Sequence, residues 1–285
     1  MNSAWIITRH TWTECLRRRI FVIVPVATLL FLSLFALGSH YAFKSAAAQG
    51  SFGGGLVNAE ILAGSTLLGL SMFVSLFLAS ALAIFLNFAA IRGDAEQGVL
   101  QQIVVRPVAR SGLLLGRLVG ASVVCTVYVL VLYGASVTIT QVIGGWRPDD
   151  MITPAVSLVL GVAVVAALSL LGSVFLAALP NGIMMFMVYG AGLMGGFLGQ
   201  LGKVLNSGGL EVTARILSWL LPFEALYQSG LERLTSETSG VTGVVVRLGP
   251  LGGAEEGGAW LLVWSIAYIL TAVIAAMFAF ARRDI

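Results

Sequence analysis

Apolar positions in this chain fall into long unbroken runs, with the polar positions gathered between them. Six runs, at residues 20–37, 61–91, 112–143, 154–179, 183–201 and 259–281, are long enough to cross a hydrocarbon core, which takes about 20 helical residues. Lipid offers the backbone no hydrogen-bonding partner, so runs of this length must be helical. Spanning strands would need ~10-residue segments of alternating polarity, and these runs do not alternate. The pattern predicts an all-α integral membrane protein, one transmembrane domain over 1–285 with six transmembrane helices.

The connections carry further structure. Residues 1–19 mix Trp5, Ile6, Trp12 and Leu16 with Arg9, Glu14 and Arg17, Arg18 and Arg19, which suits a helix lying in the membrane interface. The apolar run 20–37, 18 residues long, exceeds the ~7–15 usual in a cleavable signal, so the run is read as a first span. Pro180, Asn181 and Gly182 give a turn signal between the fourth and fifth spans. The 202–258 connection is the longest. Within it, 210–231 holds an apolar core around Ile216, Leu217, Trp219, Leu220 and Leu221, followed by Pro222 and Phe223. That stretch is too short to span and predicts helices that dip into the leaflet or lie on it. Beyond it, 235–258 is rich in Gly, Ser, Thr and Glu and reads as a solvated loop.

Composition agrees with the pattern. Only 10% of the 285 residues are charged and 58% are apolar, with a mean hydropathy of +0.97; a water-soluble domain carries roughly 25% charged residues. The formal charge of +3 comes from residues beside the spans, which points to headgroups and topology and not to nucleic acid. With an internal N-terminus, Arg9, Arg17, Arg18, Arg19, Arg92, Arg106, Arg110, Arg117, Arg282 and Arg283 are cytoplasmic. Lys44, Arg147, Lys203, Arg215, Arg233 and Arg247 are then external, spread over longer loops, and most acidic residues join them. The excess of internal basic charge places both termini in the cytoplasm of a cell (inner or plasma) membrane.

Candidate chemistry is sparse. Cys15 and Cys125 are far apart, both placed toward the reducing side, and His10 and His40 fall on opposite sides, so no disulfide or metal site is expected. No GxxxxGK[ST] phosphate loop occurs, and no catalytic carboxylate, Ser/His/Asp or HExxH arrangement. Gly190, Gly192 and Gly195 match GxGxxG inside an apolar span with no preceding strand, a false positive for dinucleotide binding. The spacings Gly192/Gly196 and Gly195/Gly199, and Gly112, Gly116 and Gly120, instead suit close helix packing, with partners unread. Apart from Arg117 the six runs contain no ionisable residue, whereas ion-coupled transporters keep such groups at mid-membrane. Any transport energy must then come from elsewhere. A structural or assembly subunit of a membrane complex, and a lipid-modifying enzyme, are the alternative classes.

The cytoplasmic segment 92–111 is the most informative. Asp94 and Glu96 suit a helix N-terminus, Val99, Leu100, Ile103 and Val104 share one helical face, Pro107 stops the helix, and Ser111 is placed to cap the next span. An apolar stripe on a short cytoplasmic helix needs a protein partner or the membrane surface.

The run Arg92, Asp94, Glu96, Gly98-Val99-Leu100, Arg106-Pro107-Val108, Arg110 and Leu115-Gly116-Arg117 resembles the corresponding region of type-2 ATP-binding-cassette (ABC) permeases. The basic leader and Leu221-Pro222-Phe223-Glu224-Ala225-Leu226-Tyr227 are also similar to that family. Val99 stands where the family often has Thr, and Arg117 where it often has Lys. The resemblance implies a permease, not itself an enzyme, that pairs with a second copy of itself or a related permease. It binds no cofactor of its own; ATP and Mg belong to a separate ABC ATPase subunit. That subunit would dock on a coupling helix made of Asp94, Glu96, Val99, Leu100, Ile103, Val104 and Arg106. Residues 210–231 would be the outer re-entrant segment, with Trp219, Pro222, Phe223 and Glu224 as candidates for an outer gate. Family members export lipids, drugs or glycans, or act on sodium or in metalloenzyme maturation.

Overall fold

The computed structural model describes residues 20–49, 51–52, 57–87, 110–148, 150–235 and 258–282. The leader 1–19, the coupling segment from Asp94 to Arg106 and the loop 236–257 lie outside the described residues, as do His10 and Cys15. In chain order the elements are α1 (Ile20–Gln49), β1 (Ser51–Phe52), β2 (Val57–Asn58), α2 (Ala59–Asn87), α3 (Arg110–Gly144), α4 (Ile152–Phe175), α5 (Ala178–Val204), α6 (Gly208–Leu220), α7 (Pro222–Thr235) and α8 (Ala259–Ala281). Six of the helices, α1 to α5 and α8, are long and apolar enough to cross a membrane. The only strands among the described residues are β1 and β2, a two-residue antiparallel ladder pairing Ser51 with Asn58 and Phe52 with Val57.

α4 is the centre of the bundle. It packs against α2, α3, α5, α7 and α8, and 61% of its apolar window is buried, as in α2, against 11% for α1. One core cluster joins Leu68, Met72 and Leu76 of α2 to Val129 and Tyr133 of α3, Leu158 and Leu170 of α4, Tyr227 of α7 and Phe280 of α8. A second joins Ile84, Val164, Val165, Met185 and Tyr189 to Leu221 and Phe223. The outward faces carry Leu29, Leu30, Val131, Met187, Leu270 and Phe278, all well exposed, as expected of a surface solvated by lipid. α1 lies at the periphery and is held partly by polar contact: the Thr28 hydroxyl, which donates to Val24 O within α1 at 2.8 Å, lies 2.7 Å from the Tyr128 hydroxyl of α3.

Two boundaries and the placement of one residue differ from the sequence expectation. α1 continues to Gln49, past His40 and Lys44, because a helix does not have to stop where the apolar run does. α4 ends at Phe175 and the break falls at Leu176 and Ala177, not at Pro180-Asn181-Gly182. Pro180 instead occupies the first turn of α5, where the missing N–H is no loss. Asn181 is buried, and its Nδ2 donates to Ser169 O at 3.0 Å, tying α5 to α4. Cys125 sits about halfway along α3 in the core, not near a membrane face.

The turn from α3 to α4 is locally encoded. Gly145 takes φ +66°, the left-handed conformation that ends a helix most easily at glycine. Asp150 Oδ1 accepts from the amides of Ile152 at 3.0 Å and Thr153 at 3.1 Å, capping α4. Desolvation pushes the Asp150 carboxyl up, but the Thr153 hydroxyl, the two amides and Arg233 outweigh it and hold the group below its ordinary value.

Candidate functional site

The long connection after α5 folds back into the bundle. α6 runs antiparallel along α5: Gly202 lies beside Glu211, Gly199 beside Ala214 and Gly195 beside Leu217. The chain turns at Leu221 and Pro222, and α7 climbs back along α4 and α2, so that Gly230 meets Pro154, Ser157 and Met72, and Leu231 meets Gly69. At the turn, Phe223 lies against Gly161 of α4 and Gly192 of α5. Those contacts put the tip about 14–18 Å below the adjacent ends of α4 and α5 at 1.5 Å per residue, roughly half of a ~30 Å hydrocarbon core.

The glycines of α5 make this possible. A Cβ at Gly195 would lie 2.9 Å from Leu217 Cβ, one at Gly199 would lie 3.3 Å from Ala214 Cβ, and one at Gly192 would strike the Phe223 ring. One at Gly196 would collide with Glu224 Oε1 and stand 2.7 Å from Gln228 Nε2. The stripe whose spacing predicts close packing in α5 therefore faces the α6–α7 hairpin and not another span. The Gly112 end of α3 has open space around its own Cβ position.

Among the four outer-gate candidates, the fold brings Pro222, Phe223 and Glu224 together at the tip, all buried. The Phe223 ring stacks on Tyr189 with centroids 5.1 Å apart and planes 8° from parallel. Trp219 is elsewhere. It is exposed on the α8 side, edge-on to Trp264 at 5.2 Å, and its carbonyl accepts from Trp264 Nε1 at 3.1 Å. Tyr227 anchors α7 by donating to Gly69 O at 3.3 Å.

Between α5, α6 and α7 lies a cavity of about 280 Å³ lined by Gly192, Gly195, Gly196, Gly199 and Lys203, by Glu211, Ala214, Arg215 and Ser218, and by Glu224, Ala225 and Gln228. Glu224 is only 6% exposed. Its Oε1 accepts from Gln228 Nε2 at 3.3 Å, whereas Oε2 has no hydrogen-bond partner. α7 is not one of the six spans, but it is buried among them. Burial pushes the Glu224 carboxyl up to about 8, against a smaller opposing effect of the Gln228 hydrogen bond. Glu232, one turn beyond Gln228 on the same helix, is equally buried and has Arg233 Nε 3.8 Å away.

The bundle interior thus holds ionisable groups that a survey of the six spans misses, because the hairpin supplies them. Gln228, Glu211 and Arg215 join the site for the same reason. The available signal was the i, i+4 spacing of Glu224, Gln228 and Glu232 among Phe223, Leu226, Tyr227 and Leu231, which places the polar groups on the helix that also carries the apolar anchors. The seven coupling-helix candidates cannot be set into this geometry, since they lie outside the described residues. Among the described residues no group of three or more His, Cys, Asp or Glu side chains is placed to hold a metal ion.

Comparison with known proteins adds two findings. A family model described as "ABC-2 family transporter protein" matches residues 5–285, covering all six spans and the hairpin. A curated relative from Stutzerimonas stutzeri, described as "Probable ABC transporter permease protein NosY", is 32% identical over 136 residues. That alignment covers 48% of this chain and 45% of the relative, so the match spans about half the length of the curated protein.

Proposed function

Because the chain belongs to the ABC-2 family transporter protein family, we propose that it is the membrane-spanning permease subunit of an ABC exporter, driven by ATP hydrolysis on a separate subunit. The observation that carries this reading is the family match over 5–285, which takes in the 92–111 segment as well as the bundle. The relative named as an ABC transporter permease supports it from part of the chain. ATP and Mg²⁺ are bound by the partner ATPase, and the permease works as a pair with a second copy of itself or a related permease. Both termini are cytoplasmic in the cell membrane, on the charge asymmetry of the loops, so the α6–α7 hairpin enters from the outer face.

Hydrolysis on another chain moves this bundle only through a rigid contact. Residues 92–111 provide the one cytoplasmic connection long enough for docking, since the break between α4 and α5 is confined to Leu176 and Ala177. Burying two or three of Val99, Leu100, Ile103 and Val104 contributes on the order of 1.5–3 kcal/mol each, and Glu96 and Arg106 set orientation by pairing at the rim. Replacing Leu100 and Ile103 by Asp is expected to abolish co-purification of the ATPase and stimulation of its activity in nanodiscs, while expression stays normal. Full association and stimulation by this double variant would show that the ATPase docks elsewhere or has no part in the function.

A further inference from the structure

We propose that the cavity between α5, α6 and α7 binds a small zwitterion carrying a primary ammonium group, with the ammonium on Glu224 and the anionic end on Arg215. The deep wall supplies the first half of the argument. Glu224 is more than nine-tenths buried, lines the cavity, and has one oxygen held by Gln228 while Oε2 has no partner. A buried polar atom without a partner is strongly disfavoured unless something else satisfies it. Uncharged at neutral pH while the site is empty, the carboxyl ionises against an incoming cation, and in that form it only accepts hydrogen bonds, so the partner that completes it is a cationic donor.

A metal ion is a poor match. Hard cations want six or more oxygen ligands, usually with several carboxylates, and no cluster of three or more His, Cys, Asp or Glu side chains among the described residues is placed to hold one. An ammonium needs only a few acceptors, which Glu224 and the Ser218 and Gln228 side chains lining the same space provide.

The rim supplies the second half. Arg215 is exposed and Glu211 half-buried on α6, and Lys203 is exposed near the end of α5. A simple cation approaching Glu224 would pass Lys203 and Arg215, with Glu211 the one acid beside them. With Glu211 and Glu224 against Lys203 and Arg215 the lining is formally charge-balanced: Lys203 and Glu211 lie toward the open end, Arg215 is a turn further in, and Glu224 is deepest. A molecule with an ammonium at one end and an anionic group a few bonds away meets both. About 280 Å³ lies at the small end of ligand pockets, which admits a molecule the size of ethanolamine phosphate or an amino acid. The same chemistry is offered by a phosphoethanolamine lipid headgroup and by a free zwitterion.

The inference concerns this chain alone, so binding is read on the full chain in detergent without an ATPase, and its failure leaves the transport reading untouched. The probes are phosphoethanolamine, phosphocholine and glycine, followed by calorimetry at neutral pH, and phosphatidylethanolamine against phosphatidylglycerol, followed by native mass spectrometry. Binding of a primary-ammonium probe at least tenfold tighter than phosphocholine is expected, with a loss of tenfold or more in both Glu224→Gln and Arg215→Ala. Retention of phosphatidylethanolamine without measurable binding of the soluble probes would assign the site to a lipid headgroup; the reverse would assign it to a free zwitterion. Arg215→Ala alters an exposed side chain, so its result stands even if Glu224→Gln fails to fold. Unchanged affinity in Arg215→Ala, equal binding of phosphocholine, or no binding of any primary-ammonium probe would overturn the proposal.

Discussion

If the hairpin is seated by the glycine stripe, then glycines of the same helix should respond in opposite ways to the same substitution. At Gly190 a Cβ meets nothing within 4 Å, whereas at Gly195 it would stand 2.9 Å from Leu217 Cβ. Ordinary carbon–carbon contact is about 3.5–4.0 Å, so α6 must move away from α5 by roughly 0.5–1 Å. Leu217 Cβ is fixed to its own backbone, so a rotamer change gives no relief. Overpacking of this kind costs about 1–3 kcal/mol, and the gain from replacing glycine inside a helix offsets about 0.5–1 kcal/mol of it. Gly195→Ala should therefore be net destabilising by about 1–2 kcal/mol and Gly190→Ala stabilising by up to about 1 kcal/mol, on the balance of those two effects. At about 2–4 °C per kcal/mol for a chain of this size, the two variants should melt several degrees apart. The assay is thermal unfolding of the purified chain in one detergent, followed by tryptophan fluorescence. Equal melting temperatures for the two variants would refute the seating of α6 on α5.

Two further predictions rest on single groups. Glu224 is pushed up to about 8 from an ordinary 4.5, so its neutral form favours the fold: that contribution is complete below about pH 4.5 and is lost as pH rises through about 8. Wild-type melting temperature should fall across that window, and Glu224→Gln should remove much of the fall; an unchanged slope would show that this carboxyl is not the group responsible. Asn181→Ala removes the 3.0 Å bond to Ser169 O between α5 and α4 and should destabilise the bundle by about 1–2 kcal/mol, as expected when a buried partner is deleted, read as a lower midpoint in the same thermal assay.

The spans were legible because lipid makes a simple demand. About 20 continuous apolar residues can only be a helix there, and all six runs appear as helices at nearly the predicted places. The ends were less legible. Pro180 looks like a turn in sequence, yet a proline inside the first turn of α5 and one in a loop present the same local signal. The glycine stripe gave away that something approaches α5 closely, but spacing alone does not name the partner. Glu224 shows the deeper difficulty. The resemblance marks it as a gate candidate, but pattern alone counts it as one more carboxylate of an external connection; only the return of α7 between α4 and α5 puts it among buried apolar residues, and that return is a tertiary fact.

The two arms of the hairpin are not equivalent, and this bears on which of them can open the cavity. α7 is a core helix: Phe223, Leu226, Tyr227 and Leu231 are all buried, and lifting it out would re-expose side chains worth about 1.5–3 kcal/mol each. α6 has no buried residue at all. It is held by its contacts with the α5 glycines and by Trp219 against Trp264 of α8. Any motion that opens the space in front of Glu224 is therefore least costly as a displacement of α6 over a stationary α7. Such a displacement carries Arg215 and Glu211 with it and leaves Glu224 and Gln228 in place, so the rim charges and the deep carboxyl separate in the same step that opens the cavity. The glycine stripe then has a second consequence beyond close packing: at Gly192, Gly195, Gly196 and Gly199, α5 puts no side chain in the path of that slide.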